Sequence, residues 1–235
     1  MSLAIICGCG HSGTTLLANM MAAHPKCYVP LQETRVFFRR TAIPRLWWFR
    51  MVSVFKGKSF IVEKTPRHIK VIDRVKRIAP RTKIIFMVRD GRDVSASLFK
   101  RFENEAASVD RWIEANEVVF AWESDPNAIM VRYEDLITQP ETELQRLCAF
   151  LGVDYAPEML QYHTKKRLWF GTKKFEKGSD KDGEEHDKLR TWQVNQPIFD
   201  GRGKWRSVFD QAPRKLTTGR GSELMTHFGY AIADN

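Results

Sequence analysis

An apolar run, Leu3-Ala4-Ile5-Ile6-Cys7, leads straight into Gly8-Cys9-Gly10-His11-Ser12-Gly13-Thr14-Thr15. This G-x-x-x-x-G spacing after a strand constrains the chain more than any other stretch. Glycines at both ends let the backbone curl so that successive N–H groups face one anion. Thr14 to Ala23 is predicted to be a helix whose positive N-terminus faces the same anion. A nucleoside-triphosphate loop of this spacing carries a lysine where this chain has Thr14, and that lysine reaches the β- and γ-phosphates. The loop therefore suits a 5′-phosphate group other than a nucleoside triphosphate.

Strand and helix patterns alternate along the chain. Strands are predicted at Leu3 to Cys7, Ser59 to Val62, Lys83 to Val88 and Ala128 to Val131, as short apolar runs buried on both faces. Helices are predicted at Thr14 to Ala23, His68 to Ile78, Arg92 to Arg101, Ser108 to Glu123 and Pro140 to Leu151. The alternation predicts an α/β fold, a three-layer sandwich with a central parallel sheet flanked by helices. The 235 residues show no Pro/Gly/Ser-rich linker, so one domain is expected over 1–235. Residues 164–200 are rich in charge and glycine with weak periodicity, and read as a surface excursion or a lid.

The net charge of +10 is unevenly placed. From Glu33 to Arg101 there are 19 Lys/Arg against 5 Asp/Glu, whereas the remainder holds 19 against 23. Such a field attracts a polyanionic ligand, or else forms a solvated basic face. Nucleic acid is not expected, because no helix-turn-helix, zinc-finger or RNA-binding aromatic signature is present. No apolar stretch approaches the ~20 residues of a membrane span. With the first strand beginning at once, no signal peptide is expected, a removed N-terminal anchor being the alternative. Cys7, Cys9, Cys27 and Cys148 show neither a disulfide framework nor metal-ligand spacing, so a reduced, cytoplasmic protein without a metal is expected.

In parallel α/β sheets ligands bind beyond the carboxyl ends of the strands. Four polar elements fall there: the glycine loop, Glu63-Lys64-Thr65-Pro66, Arg89 to Ser97, and Arg132-Tyr133-Glu134-Asp135-Leu136. Arg89 sits at a strand end, Ser97 lies two turns into the next helix, and Arg101 follows on the same helix face. An arginine fork, a hydroxyl and a second cation suit a second phosphate. The competing reading is an ordinary ion pair of Arg89 with Asp90 or Asp93.

The lysine-free loop ending Ser-Gly-Thr-Thr-Leu-Leu, with His24-Pro25 after its helix, resembles the 5′-phosphosulfate loop of sulfotransferases. Val88-Arg89-Asp90-Gly91-Arg92-Asp93-Val94-Ser95-Ala96-Ser97 resembles their 3′-phosphate motif. The resemblance runs from Leu3 to about Gly152 and recurs at Gly203-Lys204-Trp205-Arg206. It implies the donor 3′-phosphoadenosine 5′-phosphosulfate (PAPS), with adenosine 3′,5′-bisphosphate as product and no metal. It further implies that Gly10, His11, Ser12, Gly13, Thr14 and Thr15 hold the 5′-phosphosulfate, and that Arg89, Ser97 and Arg101 hold the 3′-phosphate. Tyr133 would lie near the adenine, and Lys204 and Trp205 would close over the cofactor, Trp205 alternatively being a core aromatic. His11 stands where many relatives carry Arg or Lys, so Lys64 is a candidate to share the cation's role at the leaving phosphate.

The reaction implied is sulfuryl transfer to a hydroxyl or amine of a glycan, peptide, lipid or small molecule. A general base must take the acceptor's proton. Glu33, in Gln32-Glu33-Thr34-Arg35, resembles the base segment of tyrosylprotein and some bacterial sulfotransferases. Glu63 resembles that of the heparan type. Glu33 is preferred, with Arg35, Phe37, Phe38, Trp47 and Trp48 lining an acceptor pocket or else filling core. A P-loop kinase or NTPase, and a binding module for anionic glycan or RNA, are the competing functions.

Overall fold

The computed structural model describes residues 2–179 and 183–232. Among them, five parallel strands form one sheet in the order β2-β3-β1-β4-β5. The strands are β1 (Ser2–Gly8), β2 (Cys27–Tyr28), β3 (Phe60–Lys64), β4 (Lys83–Val88) and β5 (Ala128–Arg132). In β1 successive side chains face opposite layers. Ile5 and Cys7 pack with Phe86, Trp112 and Leu224, whereas Ala4 and Ile6 pack with Met20, Met87 and Leu144. Helices therefore cover both faces, and the expected three-layer α/β sandwich is the fold.

On one face lie α1 (Thr14–Ala23), α6 (Tyr133–Thr138) and α7 (Pro140–Leu151). On the other lie α2 (Ala42–Phe55), α3 (Ile72–Ile78), α4 (Gly91–Phe102), α5 (Glu105–Trp122) and α10 (Gly219–His227). Local chemistry sets the boundaries. Asp90 caps α4 by accepting from the Arg92 N–H, Asn104 caps α5 through Ala107, and left-handed Gly152 ends α7.

The strand order decides where a ligand can sit. From β1 the chain runs to β2 and then β3 on one side, and crosses from β3 to β4 on the other. That reversal opens a crevice above the carboxyl end of β1. Ile6 is in register with Lys64 of β3 and with Ile85 of β4. The glycine loop, Glu63-Lys64 and Arg89 consequently surround one crevice.

Some elements differ from expectation. The single helix predicted at His68 to Ile78 is a 3-10 turn, Pro66–Val71, followed by α3, because His68 is pinned inward by Glu63. Helix α2 escapes the periodicity reading because its outward face is as apolar as its inward one. Of segment 164–200, residues 180–182 lie outside the described residues. The segment carries the fully buried Trp169 and α8 (Glu184–Val194), and Asn195 ties the two stretches together by bonding both the N–H and the carbonyl of Arg167. The short α9 (Arg214–Thr217) precedes α10. The four cysteines are buried free thiols.

Candidate active site

The glycine loop uses conformations that only glycine adopts freely. Gly8 has φ 148°, and a Cβ there would strike the Met87 carbonyl; Gly13 has φ 88°, and its Cβ would lie 2.6 Å from the Tyr133 ring. His11 is also left-handed, at φ 68°. Gly13 precedes α1 with no side chain capping the helix, so the first-turn N–H groups of α1 stay available to an anion. Ser12, Thr14 and Thr15 are buried, and the Ser12 hydroxyl has no hydrogen-bond partner in the protein. A buried orphan hydroxyl inside such a loop fits an anionic group held there.

Arg89 leaves the end of β4 and reaches back to the loop. Its Nη1 donates to the His11 carbonyl at 3.2 Å and its Nη2 to the Gly201 carbonyl at 2.8 Å. Its guanidinium lies 4.3 Å from the Tyr133 ring centroid, and its Nε is buried without a partner. The ordinary ion pair is present too, but long, at 3.7 Å to Asp93. Ser97 Oγ sits 2.9 Å from His11 Nδ1. The two anion motifs therefore meet through His11. Burial, together with Arg190, the neighbouring His186, Arg101 and Arg89, pushes the His11 pKa down to about 3, so its ring is neutral near pH 7.

The two candidate bases occupy opposite environments. Glu63 is fully buried and accepts from the Thr34 N–H at 3.2 Å, Thr34 Oγ1 at 2.7 Å and Thr65 Oγ1 at 2.6 Å, with His68 Nδ1 at 3.0 Å. The Phe37 N–H donates to His68 Nε2, which leaves the ring proton on Nδ1, facing Glu63. Burial works against the Glu63 charge, but these donors more than offset it and hold its pKa below the ordinary value. Glu33 instead lines an open cleft of about 720 Å³ beside Gly10 and His11. Lys64 Nζ approaches Glu33 Oε1 at 3.0 Å from beneath, fully buried against Trp169 and Phe170. Burial lowers the Lys64 pKa and Glu33 opposes that shift. Lys64 thus faces the candidate base and does not line the cleft.

Of the predicted cofactor residues, Gly10, His11 and Arg101 line the cleft, whereas Ser12, Thr14, Thr15, Arg89 and Tyr133 are covered. Trp205 is a buried aromatic packed with Ala96 and Phe209, and its N–H and that of Gly203 donate to Asp93. Lys204 lies over the Phe199 ring, away from the cleft lining. Arg35 lines the cleft, Phe37 is core, and Phe38 stacks on His68. Trp47 and Trp48 do neither; both are exposed on α2. Sequence reasoning missed Arg190 and Asp187, which α8 places on the cleft wall. Arg67, Lys70 and Arg111 join them, so the cleft is strongly cationic.

A parallel α/β fold with a glycine-rich loop at its switch point is an arrangement in which phosphate groups are commonly bound. The profile described as "Sulfotransferase family" matches residues 31–157, a stretch that holds Glu33, Glu63, Lys64, Arg89, Ser97 and Tyr133. The chain belongs to the sulfotransferase family. It is 28% identical over 193 residues to a putative protein-tyrosine sulfotransferase of Caenorhabditis briggsae, covering 68% of this chain and 69% of that one. It is 26% identical to protein-tyrosine sulfotransferase 1 of Danio rerio, covering 69% of this chain and 56% of that one. The match thus spans little more than half of the fish protein. In fold the chain is similar to the sulfotransferase domain of the Synechococcus PCC 7002 olefin synthase, with a TM-score of 0.71 at 18% identity over 98% of this chain and 95% of that one. It is also similar to mouse sulfotransferase SULT7A1, complexed with PAP, with a TM-score of 0.53 at 18% identity over 96% and 84%.

Proposed function

We propose that this protein transfers a sulfuryl group from PAPS to a hydroxyl acceptor, with Glu33 as general base. The observation that carries the reading is the position of Glu33. Its carboxylate lines the same cleft as Gly10 and His11, while Glu63 is sealed under four donors. A base must reach the acceptor's proton, and only the first of these two can.

The residues fit the donor's two anionic ends. Ser12, Thr14, Thr15 and the N-terminus of α1 would hold the 5′-phosphosulfate; Arg89 and Ser97 would hold the 3′-phosphate. When bound, the donor supplies an activated sulfuryl group and a phosphate leaving group. His11 is neutral near pH 7 and contributes a hydrogen bond rather than a charge. Arg101 and Arg190, on the cleft wall beside it, supply the positive potential that stabilises charge developing at the loop. Lys64 holds the Glu33 carboxylate in place, and Glu63 holds the Thr34-Arg35 backbone that follows it. No metal is assigned a role.

The acceptor we propose is a tyrosine hydroxyl in an acidic segment. Relatives named as protein-tyrosine sulfotransferases and the cationic cleft wall support that choice. A radiolabelled-donor assay across acidic tyrosine peptides, glycans, lipids and small phenols tests it, with label expected on the peptides. Arg89→Ala should weaken adenosine 3′,5′-bisphosphate in calorimetry by more than about tenfold. An unchanged dissociation constant, or tight binding of Mg-ATP instead, overturns the donor assignment.

A further inference from the structure

Helix α2 shows an unusual outward face. Ile43, Trp47, Trp48, Met51, Val54 and Phe55 are 53 to 83% exposed, while only Ala42, Phe49 and Ser53 of this helix are buried. A contiguous apolar surface of this kind marks an interaction site. Its electrostatics narrow the partner. No Asp or Glu occurs between Glu33 and Glu63, whereas Arg39, Arg40, Arg45, Arg50 and Lys56 are exposed on or beside the helix. A second copy of this chain would oppose like charges across the contact. None of the residues of this 14-residue helix lines the cleft beside the glycine loop, which could seat a partner's side chain.

We infer that α2 docks the protein on an anionic lipid surface, lying in the plane of the interface. Tryptophan and phenylalanine enter the headgroup boundary, and the arginines meet anionic headgroups while their stems lie along apolar surface. This is surface attachment rather than a span, since no described helix is long and apolar enough to cross a membrane. The inference stands independently of the proposed reaction.

The test is co-sedimentation of the intact protein with phosphatidylcholine vesicles, with and without phosphatidylserine. Binding is expected on the phosphatidylserine vesicles, weakened at least about tenfold on phosphatidylcholine alone and reduced by salt. Trp48→Ser with Phe55→Ser, and separately Arg45→Glu with Arg50→Glu, should each lower the partition coefficient at least about tenfold. Both pairs are exposed, so unchanged thermal melts and bisphosphate affinity show that the fold is kept. Equal binding by the variants, or no preference for phosphatidylserine, overturns the inference. So does a dimer in the ultracentrifuge that Trp48→Ser with Phe55→Ser dissociates, because α2 would then be a protein interface.

Discussion

Lys64 Nζ lies 3.0 Å from Glu33 Oε1, a fully buried ammonium beneath a carboxylate that faces the cleft. The pair joins the end of β3 to the loop after α1 and β2. It holds Glu33 from the protein side and leaves its outer face to the cleft. Glu63, one residue before Lys64, points the other way and is consumed by Thr34, Thr65 and His68.

Glu33→Gln should lower kcat by about a hundredfold or more while adenosine 3′,5′-bisphosphate binds as before. Glu63→Gln should behave differently. It replaces an acceptor-only carboxylate with a group that donates toward Thr and His donors, costing about 2–3 kcal/mol of stability. Thermal melting and steady-state kinetics separate the two effects. A stable, inactive Glu63→Gln beside an active Glu33→Gln would reverse the roles.

Arg190→Ala should reduce kcat by about a hundredfold, because neutral His11 leaves the loop without its own cation. Arg190→Lys should recover part of the loss, a point charge replacing a fork. Turnover of Arg190→Ala equal to that of the parent protein would show that Arg101 suffices.

The two loop glycines 10 and 13 should respond unequally to alanine. At Gly13 the left-handed backbone alone costs about 1–2 kcal/mol, and the added Cβ meets the Tyr133 ring. At Gly10 a Cβ meets nothing within 4 Å. Gly13→Ala should melt earlier and lose bisphosphate affinity, whereas Gly10→Ala should melt with the parent. Equal melts for the two would contradict the loop geometry.

His11 makes stability depend on pH in a defined window. Its folded pKa of about 3 lies below the unassisted 6.5, so between those values the unfolded chain binds the proton and the folded chain does not. The stability that His11 contributes is complete above pH 6.5 and is lost progressively as pH falls toward 3. Denaturant titrations across this range should therefore show a shallower pH slope for His11→Gln. Identical slopes would mean that His11 is already charged in the fold.

The loop, α1, β4 and α7 were legible because each rests on local chemistry: an apolar run, a glycine spacing or a helical period ended by glycine. The convergence of four strand-end motifs was legible too, since a parallel sheet brings carboxyl ends to one edge. Strand β2 was not, being two residues long, nor was α2, whose two faces are both apolar. Arg190 was hidden in a segment whose helix depends on packing near the buried Trp169 rather than on its own periodicity.

Legible in the sequence alone were the motifs of the family: a lysine-free glycine loop, the Arg89 to Ser97 segment and two glutamates that are candidates for the base. The difference between Glu33 and Glu63 belongs to the tertiary structure. Both lie in basic surroundings, and only burial separates a carboxylate enclosed by donors from one that lines a cleft. The charge of His11 is likewise a tertiary property, because the cations that suppress it come from α4, α8 and the end of β4.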